Sequence, residues 1–172
     1  MTIEYPDLEA LPPELQEAVT NRRSLNVYRM IMHSPGLAPG FLEMASALLQ
    51  ENSLPPQWRE LAILRVGHAY GAGYEVHHHE NIARWVGVSD TAIAAAATHS
   101  TDGLPDEEAA ILAWTDRLLV NHTLNGAERD AALELLTVNR LADLVITVGF
   151  YQLVCNFLNT FNVTTDGEGR VW

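Results

Sequence analysis

The sequence predicts an all-α domain, and three observations support this fold class. Apolar residues recur three and four positions apart, as in Phe41, Met44, Ala45, Leu48 and Leu49, which is the spacing of one helix face. No segment alternates apolar and polar residues over the length of a strand. With 172 residues, 48% of them apolar, the chain can bury the core of one domain, which we take to span residues 1–172.

Turn-forming residues separate the first four predicted helices. Pro12-Pro13 before Glu14 marks a helix start, because proline suits the first helical turn. Ser34-Pro35-Gly36 ends the second helix, and Ser53-Leu54-Pro55-Pro56 separates the third from the fourth. The helices are expected from residue 13 onward and at about residues 25–33, 41–49 and 58–66.

The second half of the chain is divided in the same way. Gly71-Ala72-Gly73 is a predicted turn, Gly87 ends the helix that follows it, and Ser89 can cap the next helix with its hydroxyl. Gly103-Leu104-Pro105 and Asn125-Gly126 are further turns. The expected helices cover about residues 74–86, 91–98, 106–120, 127–136 and 140–158, with an irregular N-terminal extension and an irregular tail over 164–172.

The last predicted helix is apolar on most of its surface. A helix of this kind is buried, either at the centre of the domain or against a second subunit. Its apolar stretch, residues 144–158, is too short for a membrane span and includes Gln152 and Asn156. We therefore expect no membrane association and, from the surplus of apolar surface, a homo-oligomer.

Charge and cysteine content exclude several classes of function. The 10 basic and 22 acidic residues give a net charge of −12, which repels nucleic acids and anionic lipids. The compact basic group Arg22, Arg23 and Arg29 is explained by one helix face. Cys155, the single cysteine, cannot form an intramolecular disulfide or a metal site of several thiolates. The N-terminal sequence lacks the pattern of a signal peptide, so a cytoplasmic location is expected.

The segment from residue 60 to residue 80 carries the candidate chemistry. Glu75 and His79 are four residues apart and share a helix face. A carboxylate beside an imidazole raises the imidazole pKa and orients the ring, so such a pair can act as a general acid or base. Glu60 joins this pair if the two helices fold back on each other.

Two other interpretations of the pair remain open. Glu75 and His79 can form an ordinary surface ion pair, or they can hold a divalent metal ion from positions i and i+4. His77 and His78 point elsewhere, because successive side chains on a helix are about 100° apart. No third ligand is therefore evident, and we predict neither a metal nor a cofactor.

The sequence resembles the carboxymuconolactone decarboxylase-like and AhpD-like superfamily over about residues 25–163. The segments that carry the resemblance are residues 60–66, Tyr74-Glu75, His78-His79, Ile82-Ala83, residues 28–35 with Phe41, and residues 151–159. The resemblance implies an AhpD-like helical bundle. Together with the apolar surface, it implies a trimer or a hexamer.

The peroxidase branch of this superfamily carries a cysteine pair within the same motif. When the motif is aligned on Glu60 and His79, the two cysteine positions fall on Ala72 and Glu75. Peroxide reduction needs a nucleophilic thiolate and a resolving thiol, and Cys155 lies far along the chain. The chain is therefore similar to the decarboxylase branch, in which acid–base residues act on a lactone acid without a cofactor.

Further residues are candidates for the walls of a substrate pocket, namely Arg65, His68, Tyr74 and His78. Arg65 can bind a substrate carboxylate with two hydrogen bonds, although an ion pair with Glu60 or Asp143 is the favoured interpretation. His68 either lines the same pocket or packs at the helix end. Tyr74 offers a phenol as a hydrogen-bond donor or belongs to the core.

Three functions are compatible with these features. The favoured one is a cofactor-independent decarboxylase, lyase or isomerase for a small carboxylated or lactone metabolite. Glu60, Glu75 and His79 would be catalytic, with His79 transferring the proton. The alternatives are an alkylhydroperoxidase-like antioxidant protein that uses Cys155 with an external thiol, and a small-molecule binding protein without catalysis.

Overall fold

A computed structural model describes residues 3–166. Within that range the chain forms nine α-helices and two short 3-10 helices and contains no strand, which confirms the all-α prediction. The α-helices are α1 Pro13–Thr20, α2 Asn26–Met30, α3 Ala38–Gln50, α4 Pro56–Ala69, α5 Gly73–Trp85, α6 Asp90–Ala96, α7 Asp106–Asn121, α8 Gly126–Leu135 and α9 Val138–Phe161. The 3-10 helices are Leu8–Ala10 and Ile31–His33. The part of the predicted irregular tail beyond Asp166 lies outside the described residues.

Local sequence signals explain where the helices begin. Ser89, Asn125 and Thr137 each accept a backbone N–H with the side chain at the start of α6, α8 and α9. Pro13 and Pro56 occupy the first turns of α1 and α4. Because Thr137 caps α9, this helix begins slightly earlier than the predicted residue 140.

Helix α4 lies at the centre of the domain. It contacts α5, α6, α7 and α9, and every residue from 59 to 67 is buried. Gly67 allows a close approach to α5, since a Cβ at this position would lie 3.2 Å from Cγ2 of Val76. The charged residues of this segment are therefore held inside the protein rather than at its surface.

Helix α9 packs on α4 with one face and is exposed on another. Val145, Ile146 and Leu153 are 44%, 48% and 51% exposed, so α9 is not surrounded within the single chain, and burial of this face against a second subunit stays a prediction. Among the described helices, α9 alone is long and apolar enough to cross a membrane, with a mean hydropathy of 1.6. Its inner face belongs to the domain core, which is typical of core helices in water-soluble folds.

Candidate functional site

A tight connection brings α4 and α5 together around the candidate site. Only Tyr70, Gly71 and Ala72 separate the two helices. Gly71 has a φ of +60°, a conformation that glycine adopts without the steric cost of a side chain. The chain can therefore reverse direction over these few residues, and Glu60 comes to face α5.

Glu60, Glu75 and His79 meet in the interior. Nδ1 of His79 lies 2.6 Å from Oε2 of Glu60, and Nε2 of His79 lies 2.9 Å from Oε1 of Glu75. Arg59 adds a fourth charge, because its Nε and Nη2 donate to Oε1 of Glu60 at 2.9 Å. These four side chains, which we call the acid–base network, are all less than one tenth exposed.

The acid–base network holds one proton on its imidazole. Burial lowers the pKa of His79, but the carboxylates of Glu60 and Glu75 outweigh burial and raise the pKa to about 9. At neutral pH, Arg59 and the His79 imidazolium therefore balance two carboxylates. Transfer of the proton from His79 to Glu75 leaves this net charge at zero, so the network can move a proton without creating a buried charge.

The hydrogen-bond geometry separates the roles of Glu75 and His79. Both ring nitrogens of His79 are bound to carboxylates, and the edge of its ring packs on Tyr151 at a centroid distance of 5.1 Å. Glu75 and His79 both line a small cleft. Because both ring nitrogens of His79 are occupied by carboxylates, a molecule in the cleft would exchange protons with Glu75 directly and with His79 through Glu75.

The cleft beside Glu75 is small and largely apolar. Its volume is about 30 Å³, which is room for one or two water molecules. The rings of Phe41 and Phe150, both half-buried, lie 5.2 Å apart in its wall. Tyr28 adds a phenol whose pKa burial raises to about 12, so this side chain stays protonated and can donate a hydrogen bond.

Two of the predicted wall residues line this cleft, and both contact the C-terminal segment. The Tyr74 hydroxyl donates to Oδ2 of Asp166 at 2.6 Å, and Nε2 of His78 lies 3.3 Å from the same oxygen. The backbone N–H of Asn26 donates to Oδ1 of Asp166 at 2.8 Å. Burial lowers the pKa of His78. Tyr74 and His78 thereby connect the cleft to the segment that follows α9.

The other two predicted wall residues do not line the cleft, which corrects the sequence-based expectation. Arg65 forms an ion pair with Asp116 at 3.3 Å and donates to the backbone oxygen of Thr98, so neither Glu60 nor Asp143 is its partner. His68 lies outside the cleft near the end of α4, and burial lowers its pKa. Both residues come after Glu60 on α4, but their side chains point in other directions than the side chain of Glu60.

Sequence reasoning missed Arg59, Tyr28 and Asp166. Arg59 is adjacent to Glu60, and adjacent side chains on a helix diverge, so spacing gave no reason to pair them. The only sequence signal for this pair was that the basic Arg59 directly precedes the acidic Glu60. Asp166 follows the last helix and reaches Tyr74 only through the fold, so no local pattern could have placed it.

Neither a reactive thiol nor a cluster of metal ligands is found at the site. Cys155 is fully buried, and burial raises the pKa of its thiol above the ordinary value, which disfavours the reactive thiolate. Among residues 3–166, no group of three or more histidine, cysteine, aspartate or glutamate side chains is arranged to hold a metal ion. Glu60, Glu75 and His79 instead hydrogen-bond to one another.

The segment around the acid–base network matches a known family. Residues 35–116 match the model of the carboxymuconolactone decarboxylase family, and this range includes all four residues of the network. No curated protein matches the sequence.

Solved bacterial structures share the whole fold. A peroxidase-related protein from Ralstonia eutropha JMP134 with an alkylhydroperoxidase AhpD core has a TM-score of 0.86 and 21% identity, covering 96% of this chain and 92% of its own. A peroxidase-related protein from Silicibacter sp. TM1040 has a TM-score of 0.83 and 15% identity, covering 97% of this chain and 92% of its own. A protein of unknown function from Agrobacterium tumefaciens, described as a candidate antioxidant defence protein AhpD, has a TM-score of 0.72 and 16% identity. The match covers 80% of this chain and 96% of that protein. Similarity at these identities establishes the fold.

Proposed function

We propose that this chain is a cofactor-independent acid–base enzyme of the carboxymuconolactone decarboxylase-like and AhpD-like superfamily. Its substrate would be a small carboxylated or lactone metabolite, and its reaction a decarboxylation, lyase reaction or isomerisation. The observation that carries this proposal is the acid–base network. Its proton can reside on His79 or on Glu75, and Glu75 faces the cleft.

Glu75 is the residue that exchanges protons with the substrate in this proposal, and His79 supplies it. In a decarboxylation, the carbon–carbon bond to the substrate carboxylate breaks, carbon dioxide leaves, and the electron pair stays on the substrate carbon. Glu75 donates a proton to that carbon after receiving it from His79. Water then returns a proton to the network. Glu60 and Arg59 hold the imidazole in place throughout.

An isomerisation uses the same residues without loss of carbon dioxide. The Glu75 carboxylate removes a proton from one substrate carbon and returns it to another. Tyr28, whose pKa is raised to about 12 by burial, donates a hydrogen bond to the oxygen on which negative charge develops. Since the cleft holds only about 30 Å³, Phe41 and Phe150 have to move apart before a substrate can enter.

Proton exchange in heavy water tests the proposal. The purified protein is incubated with a panel of β-oxo acids and γ-lactone carboxylic acids, and proton NMR follows substrate loss and deuterium incorporation. Glu75→Gln should lower the rate by about 100-fold or more, as for a lost general acid–base group. Glu80→Gln, on the partly exposed face of the same helix, should leave the rate unchanged. Equal rates for wild type and Glu75→Gln would refute the assignment.

A second candidate function is binding without catalysis. The small volume of the cleft argues against catalysis beside Glu75, because the structure as it stands has room there for little more than water. A ligand that raises the melting temperature but is recovered unchanged would support this function over the first. The peroxidase alternative receives no such support, because Cys155 is buried and its pKa is raised.

Assembly and location belong to the same proposal. The exposed apolar face of α9, with Val145, Ile146 and Leu153, would be covered in a homo-oligomer, a trimer or a hexamer. Such an acidic protein would work in the cytoplasm on a small molecule, and neither nucleic acid nor membrane would be a partner.

A further inference from the structure

A second cavity, ten times larger than the cleft, lies on the other side of Tyr28. Its volume is about 330 Å³, within the usual size range of small-molecule sites. The residues between α1 and α2, Tyr28 of α2, the second half of α3, Arg59 of α4 and the last turns of α5 enclose it. Tyr28 and Leu49 line both spaces and form the wall between them. We call this space the arginine cavity.

The arginine cavity concentrates positive charge in an acidic protein. Arg22, Arg23 and Arg59 line it, which is three of the 10 basic residues of the chain, and of these Arg59 is paired with Glu60. No aspartate or glutamate is among the described residues that line it, although the chain has 22 of them. The whole chain carries a net charge of −12, so a small anion is favoured at this cavity over the acidic remainder of the protein.

The guanidinium of Arg22 is fixed but not neutralised by its bonding partners. Its Nη1 donates to the backbone oxygen of Ala18 at 3.0 Å, and its Nη2 donates to Oγ of Ser46 at 3.1 Å. Both partners are uncharged oxygens that link α1 to α3 across the cavity wall. The positive charge is thus held in position for a ligand carboxylate, with little loss of side-chain freedom on binding.

The remaining wall is apolar and suits a flat hydrocarbon body. Leu25 is buried, Leu49 and Ile82 pack beside it, and Trp85 stands at the rim with 83% of its surface exposed. An exposed tryptophan beside a cavity can cover one face of an aromatic ligand. The cavity therefore combines one charged end with an apolar body, which is the pattern of a site for an organic acid.

We propose that the arginine cavity binds a small organic anion with a flat apolar body and one carboxylate. The carboxylate lies at Arg22, and the body lies between Leu25, Ile82 and Trp85. This site is distinct from the cleft beside Glu75, so its occupation does not depend on catalysis. Arg59 lines the cavity and also donates to Glu60, so a ligand here would lie next to one member of the acid–base network.

The proposal is tested by binding of naphthalene-2-carboxylate, with naphthalene-2-carboxamide as its uncharged analogue. Isothermal titration calorimetry on the full chain gives affinity and stoichiometry, and tryptophan fluorescence gives a second signal. One carboxylate should bind per chain, at least about tenfold more tightly than the amide. Arg22→Gln should weaken carboxylate binding by about tenfold, because glutamine can keep a neutral hydrogen bond but not the charge.

Two further variants keep the result interpretable. Arg129→Gln removes an exposed arginine that pairs with Asp130, and it should leave the affinity unchanged. Gln50→Trp places a large ring at the exposed edge of the cavity and should abolish binding even if Arg22→Gln fails to fold. The proposal is overturned if the carboxylate does not bind at millimolar concentrations, if the amide binds equally well, or if Gln50→Trp has no effect.

Discussion

Replacing His79 with glutamine tests whether the acid–base network stabilises the fold through a stored proton. The pKa of His79 is about 9 in the folded protein, against 6.5 for an unperturbed histidine. Below pH 6.5 the imidazole is protonated in both states and its stabilisation is fully present. Between these two values the unfolded chain loses its proton while the folded protein keeps it, so stability falls as pH rises.

The size of the effect follows from the two pKa values. Moving from 6.5 to about 9 corresponds to a loss of on the order of 3 kcal/mol from this one group. Glutamine cannot carry the proton, so the variant lacks this pH-dependent contribution. It also leaves Glu60 and Glu75 buried with Arg59 as their only cationic partner in the network, which lowers stability further at every pH.

Urea unfolding between pH 6.5 and pH 9 measures this contribution. The free-energy difference between wild type and His79→Gln should shrink by on the order of 3 kcal/mol across this range. His77→Gln, on the exposed side of the same helix, is the matched control and should follow the wild-type curve. A difference between wild type and His79→Gln that stays constant with pH would show that His79 is neutral in the folded protein.

Four other outcomes are expected. Gly71→Ala should cost about 1 kcal/mol in urea unfolding because of the left-handed backbone, whereas Gly36→Ala, with open space around its Cβ, should not show this cost. Light scattering should give a mass above 19.0 kDa, and Leu153→Glu should lower it; a wild-type monomer at micromolar concentration would refute the oligomer. The native protein should not reduce hydroperoxides, and Cys155 should react with a thiol reagent only after unfolding; turnover lost on Cys155→Ser would contradict this. In Glu75→Cys, the new thiol should ionise below its usual pKa of about 8.5, as shown by the pH dependence of alkylation, because His79 is beside it.

The fold was predictable where local signals exist and less so where packing decides. Turn residues and caps located every helix to within a few positions, because these residues act on their own neighbours. The central helix was not predictable. α9 has the more apolar sequence, but α4, with its buried arginines and glutamate, is the helix surrounded by neighbours. Arg59 and Glu60 can be buried because each compensates the charge of the other. A pattern of hydrophobic residues does not show such a pairing.

In the candidate site, too, the contacts that depend on local spacing were predictable, and those that depend on tertiary packing were not. The spacing of Glu75 and His79 predicted their contact, and a short turn predicted that Glu60 could join them. The partner of Arg65 was predicted wrongly, because Asp116 lies on α7 and is brought near only by tertiary packing. The proposed roles of Glu75 and His79 were also not predictable from the sequence. They depend on both ring nitrogens of His79 being bound to carboxylates, which requires α4 and α5 to be packed together.

The residue at position 75 decides which chemistry the shared framework can perform. The resemblance places a peroxidase cysteine at this position, where a neighbouring imidazolium would favour a thiolate and so a nucleophile. A carboxylate in the same place is a poor nucleophile but a good proton carrier, and in the proposed function the cation beside it stores the proton that Glu75 delivers. Glu60, His79 and Arg59 can serve either residue without change, since their task is to hold one positive charge next to position 75. Replacement of the cysteine pair, at positions 72 and 75, would therefore separate thiol chemistry from proton transfer on this framework, which is why the fold alone does not assign the reaction.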